Sequence, residues 1–233
     1  MPSREEIQRA TEIARKQRPL YGIFWPLFEP LPEPISVPGY LTLLHLDARG
    51  AKAAVSLILE SSRKSTEAFQ EIGRLLDKSD WRPHLVGAVA LAALGYDENT
   101  LNKLWTAFDS GSWVAPQLAA AAYLRDPNFA DNARARIKSR CAVNDSRAAA
   151  MSPLERHMAE GPAGPRHRSA KAAVSLISLL RLHHQQPEWL TSELSLPDLV
   201  ILLSEDIDQA DRIAVAWLAS LRTLFKSLAI KLD

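Results

Sequence analysis

Helix-forming segments recur along this chain with a period of about 32 residues, and no other feature of the sequence restricts the fold as strongly. A period of this size indicates helix pairs that stack side by side. The sequence therefore predicts an all-α fold, built as a short α-solenoid of stacked helical hairpins. The six predicted helices span residues 49–62, 65–77, 81–94, 97–109, 112–125 and 128–140.

The letters of the sequence also repeat in phase with these helices. AKAAVSLI at residues 51–58 recurs at 170–177, and the W-x-P-x-L pattern that begins at Trp81 is echoed by W-x-x-P-x-L at Trp113. The first helix of each pair is rich in Ala, and small side chains let helices approach closely, so we expect these helices at the centre of the stack. The second helices carry apolar side chains at i, i+3, i+4 and i+7, so we expect one of their sides to face solvent.

Both ends of the chain depart from the repeat. Residues 1–48 comprise a predicted polar helix over 3–18 and an arm in which six prolines and five aromatic side chains lie between Pro19 and Tyr40. Aromatic groups left in water favour aggregation, so we predict an ordered arm that packs against a helical-repeat domain of residues 49–233. The helical pattern breaks at about 139–168, which predicts an irregular loop there. Further helices are predicted at about 168–184, 194–204 and 208–231.

One segment resembles a known repeat family. SDWRPHLVGAVALAALG, at residues 79–95, is similar to the first helix of a HEAT-type repeat in its Asp80, in Pro83 one turn into the helix and in its Ala-Leu-Gly end. The resemblance covers residues 49–140 well, 168–232 less well and the first 48 residues not at all. It implies a HEAT-like stack of helices, and it implies no particular activity because one architecture serves many functions.

No motif indicates catalysis, a metal or a cofactor. The sequence lacks HExxH, a glycine-rich phosphate loop and GxSxG, and its six histidines lack helical metal-ligand spacing. The single Cys141 excludes a disulfide within the chain, and a reducing compartment fits it best. The uncharged stretch from Leu85 to Tyr96 is shorter than the roughly 18 to 20 residues of a membrane-spanning helix. We therefore predict a non-enzymatic cytoplasmic protein that does not engage a membrane.

Two of the six tryptophans occupy equivalent places in the repeat. Trp81 and Trp113 both fall at the first turn of a predicted first helix. This position predicts packing between a repeat and its neighbour, and an aromatic box around a ligand is the alternative.

Charge is distributed unevenly although the formal net charge is only +1. Residues 134–171 hold nine Lys or Arg and three acids, whereas residues 188–211 hold seven acids and no Lys or Arg. An acidic surface suits a basic protein partner, and an Arg-rich segment suits phosphate. There are three alternatives without a partner. The two segments are solvated helix faces, or they neutralise each other, or the acids cap the last helix. The predicted partner-binding residues are Trp189, Glu205, Asp206, Asp208 and Asp211, and the predicted phosphate-binding residues are Arg134, Arg136, Arg140, Arg166 and Arg168.

These observations favour a binding protein over an enzyme, because a curved stack of helices presents a surface without needing catalytic groups. Small helical-repeat proteins with an irregular N-terminal arm resemble bacterial immunity proteins of toxin–antitoxin type. That resemblance implies tight binding to a toxin, such as one with a basic domain. The alternative is a HEAT-like DNA-binding protein or alkylpurine DNA glycosylase, for which Trp105, Asp109 and the residues 134–140 would line a groove. A net charge of +1 makes nucleic acid the less favoured partner.

Overall fold

The computed structural model describes residues 18–46, 50–150, 165–182 and 207–231, and for 140–150, 165–170 and 207–211 it describes the backbone only. Within these ranges residues 18–21 are helical, and the chain then forms a 3-10 helix at Gly22–Leu27 and nine further α-helices. The described residues include no strand, and the one isolated β-bridge among them joins Pro30 and Pro38. The all-α prediction is confirmed. The α-helices are α1 (Gly39–His45), α2 (Gly50–Arg63), α3 (Ala68–Leu76), α4 (Trp81–Leu94), α5 (Glu98–Asp109), α6 (Ala115–Arg125), α7 (Phe129–Ala150), α8 (Pro165–Leu182) and α9 (Ile207–Ser227).

The first helices of the predicted pairs pack on one another in sequence order. Helix α2 contacts α4, α4 contacts α6, and α6 contacts α8, which gives an inner layer of four helices. The second helices lie alongside this layer, with α3 against α4 and α5, and α5 against α4 and α6. This arrangement is the short α-solenoid that the period predicts.

Helices α4 and α6 lie at the centre of the stack. All residues of α4 from 83 to 93 are buried, as are residues 115–122 of α6. Their alanines keep the side-chain layer thin, so neighbouring helices contact both sides. The second helices bury one stripe each, including Ile72 and Leu75 of α3 and Leu104 and Phe108 of α5. The prediction for the first helices is therefore confirmed for α4 and α6 but not for α2, one side of which is exposed at Lys52, Ser56 and Glu60, and the prediction for the second helices is confirmed.

The Pro-rich arm packs against the stack as predicted. Phe24, Trp25, Leu27 and Leu31 of the arm are at most 5% exposed, and the 3-10 helix contacts α1, α2 and α3. The arm therefore contributes to the same apolar core as the helical repeat. The predicted polar helix over residues 3–18 lies outside the described residues apart from its last position.

The prediction of an irregular loop from about residue 139 is wrong for residues 139–150, where α7 continues without a break to Ala150. This segment has no Gly or Pro, and its alanines and arginines are good helix formers, so propensity sustains the helix after the apolar pattern ends. Helix α8 begins at Pro165, whose restricted φ suits a first helical turn. Residues 151–164 and the predicted helix at 194–204 lie outside the described residues.

Helix α9 contacts helices at both ends of the stack. It packs against α6 and α8, and its buried stripe includes Trp217, Leu221 and Phe225. The indole Nε1 of Trp217 donates a hydrogen bond of 3.0 Å to the backbone carbonyl of Leu43 in α1. The helix is one-sided as the sequence predicts, and it also contacts α1 at the beginning of the stack. Among the described helices, none combines the length and the apolar character needed to cross a membrane.

Candidate partner-binding surface

Six aromatic side chains from the arm and from the starts of the first helices form a continuous row. The ring of Tyr40 in α1 lies 5.9 Å from that of Trp81 at the start of α4, and Trp81 lies 5.1 Å from Trp113 in the turn before α6. Within the arm, Phe28 lies 5.7 Å from Tyr40 and 3.8 Å from Tyr21. We call these residues the aromatic row: Tyr21, Trp25, Phe28, Tyr40, Trp81 and Trp113.

The aromatic row exists because the helical period repeats. Trp81 and Trp113 stand about one period apart, so stacking α4 on α6 brings their rings together at the same end of the two helices. The predicted packing between a repeat and its neighbour is therefore confirmed. Trp113 nevertheless precedes α6 by two residues instead of lying inside its first turn, so its ring extends past the helix end.

Exposure increases along the row towards Trp113. Trp25 in the arm is buried, Tyr40 and Trp81 are half-buried, and Trp113 is 53% exposed. The exposed indole packs against Trp81 on one side, and this contact restricts the conformations that it could lose on binding. A rigid aromatic side chain that is half in water is the kind of group that anchors protein interfaces.

Arg82 places a guanidinium over the row. Its Cζ lies 4.9 Å from the centre of the Trp81 ring and 5.8 Å from that of Tyr40, which is the geometry of a cation–π contact. Its Nη1 also pairs with both carboxylate oxygens of Asp80, at 3.0 and 3.2 Å. Asp80 thus neutralises Arg82, and it also accepts from the Arg82 backbone N–H as the N-cap of α4.

Lys171 of α8 brings a second cation to the exposed end of the row. Its Nζ lies 5.5 Å from the centre of the Trp113 ring. The side chain is half-buried, and this burial lowers the pKa of Lys171 below its ordinary value. Among the described residues no carboxylate lies within ion-pair distance of Lys171. Lys171 was not among the residues predicted for a site, because its local sequence does not distinguish it from Lys52, which is exposed.

His84 supports the turn that carries Trp113. Its Nδ1 lies 2.9 Å from Ser112 Oγ, and its Nε2 lies 2.6 Å from the carbonyl oxygen of Lys78. The ring is 2% exposed, and burial lowers the pKa of His84, so the neutral imidazole is favoured. These two contacts link α4 to the turn before it and to the turn before α6, which carries Trp113.

The predicted phosphate-binding arginines that the structure describes are engaged within the protein. Arg134 pairs with Asp131 at 3.3 Å, and Arg136 pairs with Asp109 at 3.1 Å. The guanidinium of Arg136 also lies 4.1 Å from the centre of the Trp105 ring, and its side chain is only 20% exposed. The backbone of Arg140 lies in α7 and those of Arg166 and Arg168 lie in α8, but their side chains are outside the described part.

The structure brings together the Trp, Asp and Arg named for a glycosylase-like groove, but it buries the Trp. Trp105 is 3% exposed, and its Nε1 donates a hydrogen bond of 2.8 Å to Asp126. Arg136 covers its face and Asp109 pairs with that arginine. In this arrangement the Trp105 ring offers no face for a base to stack on, so the cluster acts as a packing unit between α5 and α7.

Most of the predicted acidic contact residues lie outside the described side chains. The backbones of Asp208 and Asp211 lie in the first part of α9, and their side chains are outside the described part. Trp189, Glu205 and Asp206 lie outside the described residues. The acidic contact region therefore stays a prediction.

A polar groove lies between α3 and α5. Three of its charged groups are engaged: Lys103 pairs with Asp77, Arg74 pairs with Glu71, and Asp97 accepts from the backbone N–H and the hydroxyl of Thr100 at 2.9 and 2.6 Å. In the described part of the chain, no three His, Cys, Asp or Glu side chains come together as a metal site. The aromatic row is therefore the best candidate for a functional surface.

No protein-family model matches this chain, and no curated protein or solved structure is significantly similar to it. The function has to be inferred from the geometry of the aromatic row and from the sequence pattern.

Proposed function

We propose that this protein is a non-enzymatic, HEAT-like helical-repeat protein that binds a protein partner through the exposed end of the aromatic row. The observation that carries the proposal is Trp113, which is 53% exposed yet fixed between Trp81 and Lys171. Trp, Tyr and Arg side chains dominate the binding energy of protein interfaces. A side chain that is already ordered loses little conformational entropy when a partner covers it.

The narrower form of the proposal is an immunity function, in which the protein blocks a toxin by tight binding. Its support is the segregation of charge in the sequence, which gives an acidic segment at residues 188–211 for a basic toxin domain. In this form the row supplies apolar contact, and Trp189 with the acids from Glu205 to Asp211 supplies the charged contact. A partner that stops cell growth when expressed alone, and does not when co-expressed with this protein, would support it.

The test of the general proposal is affinity capture from a lysate of the native cells with the tagged protein and its Trp113→Ala variant. We expect one protein to be captured in stoichiometric amount by the tagged wild-type chain and to stay bound at high salt. The Trp113→Ala variant should lose most of this protein, because truncating an anchor residue costs about 2 kcal/mol or more of binding energy.

Tyr96→Ala is the matched control. Tyr96 is 54% exposed and follows the opposite end of α4, so its removal deletes an equally exposed aromatic ring away from the row. The control variant should capture the partner as the wild type does. Equal capture by the Trp113→Ala variant would refute the row as the contact surface. Captured nucleic acid that is released at high salt would refute the proposal of a protein partner.

A further inference from the structure

We propose that the corner formed by Trp81, Trp113 and Lys171 binds a carboxylate of the partner, presented beside an apolar side chain. This inference rests on the proposed function and names the chemistry of the partner segment that the row receives. Three separate elements build the corner: the start of α4, the turn before α6, and α8.

The first argument is the unbalanced charge of Lys171. Its ammonium is half-buried over the Trp113 ring, and the ion pairs of the described residues do not include it. A half-buried ammonium has lost part of its favourable interaction with water. A carboxylate that contacts it would replace this interaction, and the attraction between the two charges is stronger there than in bulk water. Aromatic faces compensate such a cation only in part, since a cation–π contact contributes about 0.5 to 2 kcal/mol.

The second argument comes from the repeated octapeptide. Lys52 occupies in α2 the same position of AKAAVSLI that Lys171 occupies in α8, but the Lys52 side chain is exposed. The same letters thus place one lysine in water and the other against the indole ring of Trp113. The half-buried state of Lys171 is a property of the corner and not of its local sequence.

The third argument selects a carboxylate over a phosphate group. The other cation of the row, Arg82, is already paired with both oxygens of Asp80. One available ammonium matches the single charge of a carboxylate, whereas phosphate sites use several donors and above all arginines in bidentate geometry. The exposed Trp113 ring beside the ammonium provides an apolar wall for the side chain next to that carboxylate.

The test uses two peptide probes, acetyl-Phe-Glu-Phe-amide and acetyl-Phe-Gln-Phe-amide, titrated into the full-length protein while the indole N–H resonances are followed by NMR. The Trp113→Phe variant assigns the Trp113 resonance. We expect the Glu probe to shift this resonance saturably, and the Gln probe to bind about tenfold more weakly, since charge-assisted hydrogen bonds contribute more than neutral ones.

Variants of Lys171 give the second arm of the test. Lys171→Met should reduce binding of the Glu probe to the level of the Gln probe, and Lys171→Arg, which keeps the charge, should retain the preference for Glu. Unchanged indole resonances of Trp105 and Trp217 show that each variant is folded. Equal binding of the two probes, no shift up to about 10 mM probe, or an equal shift with inorganic phosphate would each overturn the inference.

Affinity capture separates this inference from the proposed function. If the Lys171→Met variant still captures the partner that Trp113→Ala loses, the carboxylate site is refuted and the proposed function stands. If the wild-type protein captures no partner, the proposed function fails whatever the peptides do.

Discussion

The buried carboxylate of Asp126 accepts hydrogen bonds from three different donors. The Asp126→Ala substitution should therefore lower the free energy of unfolding by about 3 kcal/mol. Asp126 follows α6, is 7% exposed, and accepts three hydrogen bonds of 2.8 Å each, from Trp105 Nε1, Asn132 Nδ2 and the backbone N–H of Asn128. In this way one side chain joins the end of α6 to α5 and to the beginning of α7.

The expected magnitude follows from these three contacts. In the Asp126→Ala variant the N–H of Trp105 stays buried without its acceptor, which costs about 1 to 3 kcal/mol. The other two hydrogen bonds are partly exposed, and each contributes about 0.5 to 1 kcal/mol. Their sum is about 2 to 5 kcal/mol, which lowers Tm by roughly 6 to 15 °C for a domain of this size.

Urea unfolding followed by tryptophan fluorescence measures the free energy of unfolding, and calorimetry measures Tm. The matched control is Asp131→Ala, since Asp131 is 83% exposed and its ion pair among the described residues is a surface pair with Arg134. It should change the free energy of unfolding by less than about 0.5 kcal/mol. A loss of less than about 1 kcal/mol in Asp126→Ala would refute the reasoning.

A double-mutant cycle isolates the contact between Asp126 and Trp105. The Trp105→Phe variant lacks the indole donor, so Asp126→Ala should cost about 1 to 2 kcal/mol less in that background than in the wild type. An equal cost in both backgrounds would show that the indole hydrogen bond is not what makes Asp126 important.

Three further predictions follow from buried contacts elsewhere in the stack. Burial lowers the pKa of His84, so the unfolded chain binds a proton more readily than the folded protein does. The contribution of neutral His84 to the free energy of unfolding should therefore be fully present above about pH 6.5 and should decrease as the pH falls below that value. Urea unfolding of the His84→Gln variant should show less of this acid dependence. Trp217→Phe should lower the free energy of unfolding by about 1 to 2 kcal/mol, because the buried carbonyl of Leu43 loses its donor, and faster amide exchange in α1 would accompany the loss. Gly73→Ala should raise Tm and stabilise by about 0.5 to 1 kcal/mol, since the residue lies inside α3 and the three atoms nearest to the new Cβ belong to the flexible side chain of Lys103, the first at 3.0 Å. A lower Tm would show that this side chain cannot move.

The two surfaces considered for recognition differ in how far their charges are satisfied within the protein. Arg134 and Arg136 of α7 pair with acids on the same helix and on α5. Lys171 makes no such pair among the described residues and lies beside the exposed ring of Trp113. A group without an internal partner has more to gain from an external one, which favours the aromatic row as the contact surface.

The helical pairs were predictable because their signals are local. The apolar side chains of α3 and α5 recur at helical spacing, and Asp80 and Asp97 cap the helices that follow them. The continuation of α7 to Ala150 was not predicted, because the apolar pattern ends earlier and helix propensity alone carries the helix. The burial of the arm was predictable, because aromatic side chains left in water favour aggregation. The helices that the arm contacts were not predictable from the sequence.

The octapeptide AKAAVSLI shows that the local sequence determines a helix but not how deeply that helix is buried. Its letters determine a helix in both copies, and both copies lie in helices of the inner layer, α2 and α8. In α2 the residues Lys52, Ser56 and Glu60 face solvent, whereas in α8 every residue from 172 to 180 is buried. Helix α8 is covered by α6, α7 and α9, and most of this cover comes from residues distant in sequence. The sequence by itself thus determined the helix and its period, while the tertiary structure alone decided that Lys171 loses its water beside Trp113, because desolvation depends on what packs around a side chain and not on its neighbours in the chain.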